Sequence, residues 1–314
     1  MANPQHAILT NLTKYQWYTH LTRTEGADLG VIKKALRDAH DAGAQTGVTT
    51  PVNVCLLFGP TLLADLTSDI PEDFQSYPGC ESPDGKVAKA TQEELLLWIH
   101  SDEKDLCWET QFRFRNAVAG HMTVARETPT FIYRNSLDLT GFIDGTGNPV
   151  PEEQHDRAIV PEGKAGAGGS FCIAQRWVHD LAYFESLSPT DQENTFGRSK
   201  ADPTRLATQV PTSHLSHVEL REGTTADASK PKRGEMVRRS TPYAFHDGTV
   251  GLYFLGFCRE QAPMRERMEA IYGMNGQARD ALTDYSTPAS GSYLLRPIRR
   301  HAQPDPRLTS DRAR

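Results

Sequence analysis

Gly168-Gly169-Ser170-Phe171-Cys172-Ile173-Ala174-Gln175-Arg176-Trp177-Val178 is the stretch on which the fold turns. Paired glycines lead into a run of aromatic and β-branched residues, a strand composition opened by a turn. The segments downstream of it set the architecture. Ser188-Pro189-Thr190-Asp191 reads as a helix start, with Ser188 as N-cap and Pro189 in the first turn, and Gly197 as its stop. Leu215 to Leu220 alternates like a second strand, and Gly251 to Cys258 is an almost wholly apolar third. Pro263 to Tyr272 has helical spacing, and Gly291 to Leu295 closes with a strand. The order is βαββαβ.

Upstream of that stretch the same order is already present. Lys14 to Thr24 is strand-like, and Asp28 to Ala42 changes to helical spacing through Leu29, Ile32, Leu36 and Ala39. Thr50 to Gly59 reads as a buried strand and Thr61 to Leu66 as a short helix. Asp69 to Ala90, rich in Pro, Gly, Ser and Asp, reads as loop. Glu94 to His100, Glu103 to Ala119 and Met122 to Tyr133 give strand, helix and strand. Two successive βαββαβ units predict an α+β protein of two tandem ferredoxin-like domains, each an antiparallel sheet backed by helices. The expected divisions are residues 1–136, 137–298 and a disordered polar tail at 299–314, with the boundary near Arg134 to Asp138.

A chain of 314 residues accommodates two such domains. With 34 Lys+Arg against 40 Asp+Glu it is mildly acidic, which argues against nucleic acid or an anionic membrane as partner. Five scattered cysteines without a Cys-x-x-Cys argue against a disulfide framework or a zinc cage and fit a reducing compartment. Met1 to Thr13 lacks a basic cluster followed by an apolar core, and no apolar run reaches the ~18 residues of a spanning helix. The expected location is cytoplasmic.

The chemistry gathers around Gly141-Phe142-Ile143-Asp144-Gly145-Thr146-Gly147-Asn148-Pro149, a carboxylate among glycines. Alone, such a segment reads as a surface turn. Of the histidines, His155 and His179 lie in polar surroundings and are expected to be exposed. His214, His217 and His246 bracket a cationic segment. On a strand, His214 and His217 point to opposite faces and cannot chelate together; on a helix they share one face. A single histidine opposite a fixed acid and an arginine is the arrangement haem enzymes use, the imidazole holding iron from one side. The candidate arginine lies in Val237-Arg238-Arg239-Ser240-Thr241-Pro242-Tyr243, where composition alone also allows a solvated turn.

These motifs, with Gly168 to Phe171, Gln175-Arg176-Trp177, Leu187 to Lys200, Thr212-Ser213-His214-Leu215 and Gly251-Leu252-Tyr253-Phe254, occur in an order that resembles the dye-decolourising peroxidases. These are haem enzymes, and the likeness is to their bacterial cytoplasmic B-type branch. The resemblance implies a dimeric α+β barrel type of fold with one haem b per chain in the C-terminal domain. It implies His214 as the iron ligand, Asp144 and Arg238 as the distal acid and arginine, and Ser240 as a further polar distal residue. Asp280, with Asp284 close by as the alternative, matches the carboxylate partner of the ligand histidine. Arg198 matches a cation near a haem propionate, and Gly145 a backbone that lies close to the porphyrin.

The implied activity is reduction of hydrogen peroxide, through a ferryl porphyrin-radical state, with oxidation of dyes, phenolics or other small reductants. Trp17, Trp98, Trp108 and Trp177 are candidate relays to the surface, and a homo-oligomer is the family expectation. Two departures stand out: His217 occupies a position where the branch usually has an arginine, which leaves His217 as the alternative ligand, and Ala244 replaces a glycine. The Gly223 to Lys232 segment is a polar insertion expected to alter substrate access. The competing functions are a haem-handling protein that stores haem or releases its iron, and a cofactor-free interaction module.

Overall fold

The computed structural model describes residues 6–43, 52–221 and 232–297. The tail at 299–314 and all of the Gly223 to Lys232 segment except Lys232 lie outside them. After a short helix α1 (His6–Leu9), the first half runs β1 (Tyr15–Arg23), α2 (Leu29–Gly43), β2 (Asn53–Phe58), α3 (Pro60–Leu66), a small hairpin β3 (Cys80–Glu81) and β4 (Val87–Ala88), then β5 (Leu95–Ser101), α4 (Lys104–Ala117) and β6 (Met122–Phe131). The second half runs α5 (Pro151–Ala158), β7 (Ser170–His179), α6 (Leu181–Ser186), α7 (Pro189–Phe196), α8 (His214–Val218), β8 (Val237–Arg238), β9 (Thr241–Ala244), β10 (Val250–Cys258), α9 (Ala262–Ile271), a 3-10 turn (Ala281–Asp284), β11 (Ser286–Pro288) and β12 (Ser292–Arg296).

The main path of the sheet is β6-β1-β5-β2-β12-β7-β10-β8, with antiparallel pairing throughout. Counted within each half, both read fourth-first-third-second, the ferredoxin-like order, joined edge to edge where Leu295 of β12 meets Phe58 of β2. The sheet curls until its ends approach: Thr130 of β6 hydrogen-bonds Thr241 of β9 at 2.7 Å. Its inner face encloses Tyr18, Leu57, Trp98, Cys172, Tyr253, Leu255 and Phe257. Its outer face carries α2, α3, α4 and α9, whereas α1 and α5 pack against the inner cluster through Ile8 and Ala158.

Burial on both faces explains why β5 (LLLWIHS) reads as a continuous apolar run rather than an alternation. Leu95, Leu97 and Ile99 face the helices, while Leu96 and Trp98 face the barrel interior. On α2 the stripe Ile32, Ala35, Leu36 and Ala39 is buried against that outer face, and Asp28 caps the helix by accepting from the Gly30 amide at 2.7 Å. Full burial of a side chain such as Ile32 contributes about 1.5–3 kcal/mol. The five cysteines are buried and free. Among the described residues no helix is long and apolar enough to cross a membrane.

Two elements differ from the sequence reading. Leu215 to Leu220 is not the second strand of its half: His214–Val218 forms a single helical turn, α8. Over so few residues an apolar alternation fits either period, and the helix is fixed by local bonds, with Ser216 N–H donating to the Ser213 carbonyl at 3.0 Å. The second strand is instead Val237–Arg238, continued by Thr241–Ala244. The expected loop Asp69 to Ala90 contains the β3–β4 hairpin, whose turn places Gly85 at φ +84° and lets its amide reach the Ser82 carbonyl at 2.9 Å.

Candidate active site

Between the outer face of the second half-sheet and its helices lies a cavity that, with its mouth, holds about 1730 Å³ of atom-free space. Strand periodicity decides the floor. Alternate residues Ile173, Gln175, Trp177 and His179 of β7, with Leu252 and Phe254 of β10, face it, and the pairing Trp177↔Leu252 and Gln175↔Phe254 keeps them in one layer. Met264, Met268 and Ile271 of α9 and Leu215 and Val218 of α8 add apolar walls. Asp144, Gly145, Arg198, His214, Arg238 and Asp280 all line this one cavity. Ser240 does not; its hydroxyl accepts from the Leu255 amide at 3.4 Å.

The Gly141 to Pro149 loop is anchored at both ends. Phe142 is buried and stacks on Phe196 with ring centroids 4.0 Å apart. Asn148 grips the backbone of Arg238 in both directions, accepting from its amide at 2.8 Å and donating to its carbonyl at 3.1 Å. The same side chain therefore sets where the loop and β8 stand relative to each other. Gly145 sits at φ +80°, a left-handed conformation that favours glycine, and its amide donates to Asp144 Oδ1 at 2.6 Å. A Cβ on Gly147 would lie 3.1 Å from Arg238 Nη2, so the guanidinium uses the room that glycine leaves.

Electrostatics couple these groups. Desolvation pushes the Asp144 carboxyl above its ordinary value, Arg238 pulls it down, and the charge of Asp138 pushes it up again, leaving it raised. Desolvation also lowers the Arg238 pKa, with Asp144 and Glu235 opposing. Arg238 nonetheless stays cationic over any ordinary pH. Arg198 is lowered by burial and by neighbouring Arg205, and its Nη1 donates to the Pro203 carbonyl at 2.6 Å.

His214 opens α8, and its Nδ1 lies 2.6 Å from Oδ2 of the fully buried Asp280. The other oxygen of Asp280 accepts from the Leu282 amide at 2.9 Å, which caps the 3-10 turn and fixes the carboxylate. An ionised carboxylate only accepts, so Nδ1 carries the proton and Nε2 presents a lone pair. His217 is committed elsewhere: its Nδ1 lies 2.7 Å from the Ser213 carbonyl and its Nε2 2.7 Å from that of Ala278. His246 is exposed. Of the tryptophans, Trp177 lines the cavity, Trp17 and Trp98 are buried, and Trp108 is exposed.

Three cavity residues escaped the sequence reading. His179, expected to be exposed, has a side chain only 7% accessible and sits between Ser286 Oγ at 2.8 Å and Asp138 Oδ2 at 3.3 Å. Its position was written in the alternation that runs from Ile173 through Trp177, extended by one step. Burial raises the Asp138 pKa, but His179 and the Thr140 hydroxyl and amide outweigh it and hold that carboxyl low. Arg267 of α9 lines the cavity and donates to the Val218 carbonyl at 2.9 Å, tying α9 to the end of the turn that carries His214. An arginine in a helix read as amphipathic gave no signal of this.

The family model described as "Dyp-type peroxidase, C-terminal" matches residues 135–300. A dye-decolorizing peroxidase of Mycobacterium tuberculosis is 32% identical over 214 residues, covering 67% of this chain and 63% of that protein. A solved dye-decolorizing protein from V. cholerae is 27% identical, with a TM-score of 0.85 over 93% of this chain and 96% of its own. A Rhodococcus jostii RHA1 DypB variant solved in complex with heme shares the fold at a TM-score of 0.83, with 23% identity, over 94% of this chain and 96% of that one.

Proposed function

This chain belongs to the Dyp-type peroxidase family, haem-dependent oxidoreductases, and on that premise we propose that it reduces hydrogen peroxide at the expense of a small dye or phenolic reductant, with one haem b per chain. The observation that carries the reading is His214: its ring is pinned through Nδ1 by a buried carboxylate, and its other nitrogen is left for a ligand in a cavity also lined by Asp144 and Arg238. The donor set fits haem. A neutral imidazole with a carboxylate behind it is an iron ligand of increased basicity, and the walls are largely apolar, with Arg198, Arg238 and Arg267 among the charged groups that line them. Nε2 of His214 would hold the haem, which would supply the redox chemistry when bound.

The chain's own groups handle protons and charge. Asp144 takes the proton from the incoming peroxide and returns it to the departing oxygen, directly or through one water. Its raised pKa brings a carboxyl closer to that two-way task than an ordinary aspartate. Arg238 stabilises the negative charge that develops on the peroxide, and in a desolvated site that contribution is large. Asp280 keeps His214 in one tautomer and one orientation. Asn148 holds the Asp144 loop and Arg238 in register.

Loading the purified protein with haem and following its absorption band, then peroxide-dependent oxidation of a phenolic dye, tests the reading. The expected result is a bound haem and sustained dye turnover. Bound haem without turnover would instead favour haem storage or iron release.

A further inference from the structure

On the far side of the cavity floor, Tyr253 of strand β10 meets a further histidine–carboxylate pair, His20 of β1 and Glu93. Leu252 and Phe254 line the cavity, and Tyr253 between them points into the barrel interior, separated from the site by the thickness of one strand. There its hydroxyl lies 2.6 Å from His20 Nε2. His20 Nδ1 lies 3.2 Å from Glu93 Oε2, and Glu93 is held by Arg126 at 2.5 Å and by the Ser292 hydroxyl at 2.7 Å. The Tyr253 ring stacks on Tyr18 with centroids 3.7 Å apart, and Tyr18 stacks on Trp98 at 6.2 Å. Tyr18, Trp98 and Tyr253 are completely buried, so the stack ends in the core and does not lead to the surface.

We propose that Tyr253, with His20 as its proton acceptor and Glu93 behind it, is an internal one-electron donor that drains oxidising equivalents from the cavity when no reductant is bound. The inference rests on the peroxidase reading. Reduction of hydrogen peroxide to two waters consumes two electrons, normally both from the reductant. In its absence one would come from the haem that the cavity would hold and Tyr253 supplies the other: the phenolic O–H bond breaks, the electron passes across the strand to the cavity, and the proton moves to Nε2 of His20. The products are a neutral phenoxyl radical and an imidazolium facing the Glu93 carboxylate. A later reductant returns the electron, and His20 returns the proton.

Geometry selects Tyr253 within the stack. Glu93 Oε2 lies 3.2 Å from Nδ1 of His20, an ion-pair approach without hydrogen-bond geometry; its negative charge favours the proton on Nδ1, which leaves Nε2 as the acceptor toward the phenol. Burial pushes the Glu93 carboxyl up, but His20, Ser292 and Arg126 outweigh it and hold it down at about 2, so the counter-charge for an imidazolium is always in place. Tyr18 has no comparable base: its hydroxyl meets the Arg239 carbonyl at 3.2 Å and the Thr241 hydroxyl at 3.3 Å. The phenol of Tyr18 therefore cannot shed its proton on oxidation. The radical rests on Tyr253.

The test is freeze-quench electron paramagnetic resonance of the haem-loaded protein given one equivalent of hydrogen peroxide without reductant, while absorption follows the haem band. An organic radical is expected whose hyperfine structure narrows with ring-deuterated tyrosine. It should be lost in Tyr253→Phe, reduced several-fold in His20→Gln, and retained when the half-exposed Tyr183 is changed to Phe. An unchanged signal in Tyr253→Phe, with the haem band still responding to peroxide, overturns this inference alone. A haem band that does not respond to peroxide overturns the peroxidase reading and this inference with it.

Discussion

Under α2 and α4 the sheet of the first half is covered by a filled layer, whereas under α8 and α9 the sheet of the second half is held off by a cavity. In the first layer Leu21, Leu97 and Ile99 of the strands meet Ile32, Leu36, Cys107 and Phe114 of the helices, and one polar side chain, Gln111, is buried among them on α4. In the second, the corresponding floor carries Ile173, Gln175 and Trp177, and the space above them is lined by Asp144, Arg198, His214, Arg238 and Arg267. One strand order thus supports both a packed layer and a site. What differs, among the described residues, is the connection between the first and second strands of each half: a single helix, α2, in one, and α6, α7 and α8 in the other. The longer connection supplies the turn that delivers His214. Stability and chemistry are divided between the halves, since desolvated charges weaken a fold that a filled apolar layer strengthens.

The strongest way to break this comparison is through the histidine. His214→Ala is expected to abolish the haem absorption band of the loaded protein, because no other nitrogen of α8 is free to replace it. His217→Gln is expected to keep the band, since both nitrogens of His217 already face carbonyls. The reverse pattern would move the ligand to His217 and dissolve the role given to Asp280. Next in size is Arg238→Ala. Removing a preorganised cation from a desolvated site should slow the reaction with peroxide by about a hundredfold to a thousandfold. Stopped-flow absorbance reads it directly, and a rate near that of the unaltered protein would assign the charge stabilisation elsewhere.

A matched pair of truncations addresses the packing itself. Leu97→Ala in the filled layer should destabilise by about 2–5 kcal/mol, because a fully buried leucine leaves a void that its surroundings cannot collapse into. Met268→Ala on the cavity wall should lose less, near the lower end of the same range of about 2–5 kcal/mol, since the side chain is buried but part of its surroundings is already open space. Urea denaturation of the haem-free variants compares the two, and equal losses would mean that the cavity is as tightly supported as the first layer.

Much of this division was legible in the sequence, and the places where it was not have physical causes. The alternations and helical stripes of the first half carry long enough runs for their period to be read, as Ile32 to Ala39 shows. In the second half alternation assigned a strand to a five-residue turn, whose form is decided by hydrogen bonds that begin at Ser213 and by no periodicity. The motif around Asp144 carried the site once its resemblance was admitted. Its anchoring did not show, since the grip of Asn148 on Arg238 joins residues far apart in sequence. His179 was missed for a simpler reason: polar neighbours suggested solvent, where strand parity pointed into the cavity.

The smallest expected effect concerns Asp144, and its sign is informative in two measurements. Desolvation raises this carboxyl above the ordinary 3.8, so the folded protein holds the proton to higher pH than the unfolded chain. The associated stability is fully present below that ordinary value and is lost as pH rises through the raised one. Haem-free Asp144→Asn should therefore gain stability relative to the unaltered protein across that window and no longer show the decline. In catalysis the direction reverses. A base must be ionised to accept the peroxide proton, so the rate should rise with pH through the same window and that limb should vanish in Asp144→Asn. With Arg238 carrying the larger share, the loss above the window should be only about tenfold, below the usual range for general acid–base catalysis. A pH limb that survives in Asp144→Asn would transfer the titration to another group, with the Asp138–His179 pair beside it the first to test.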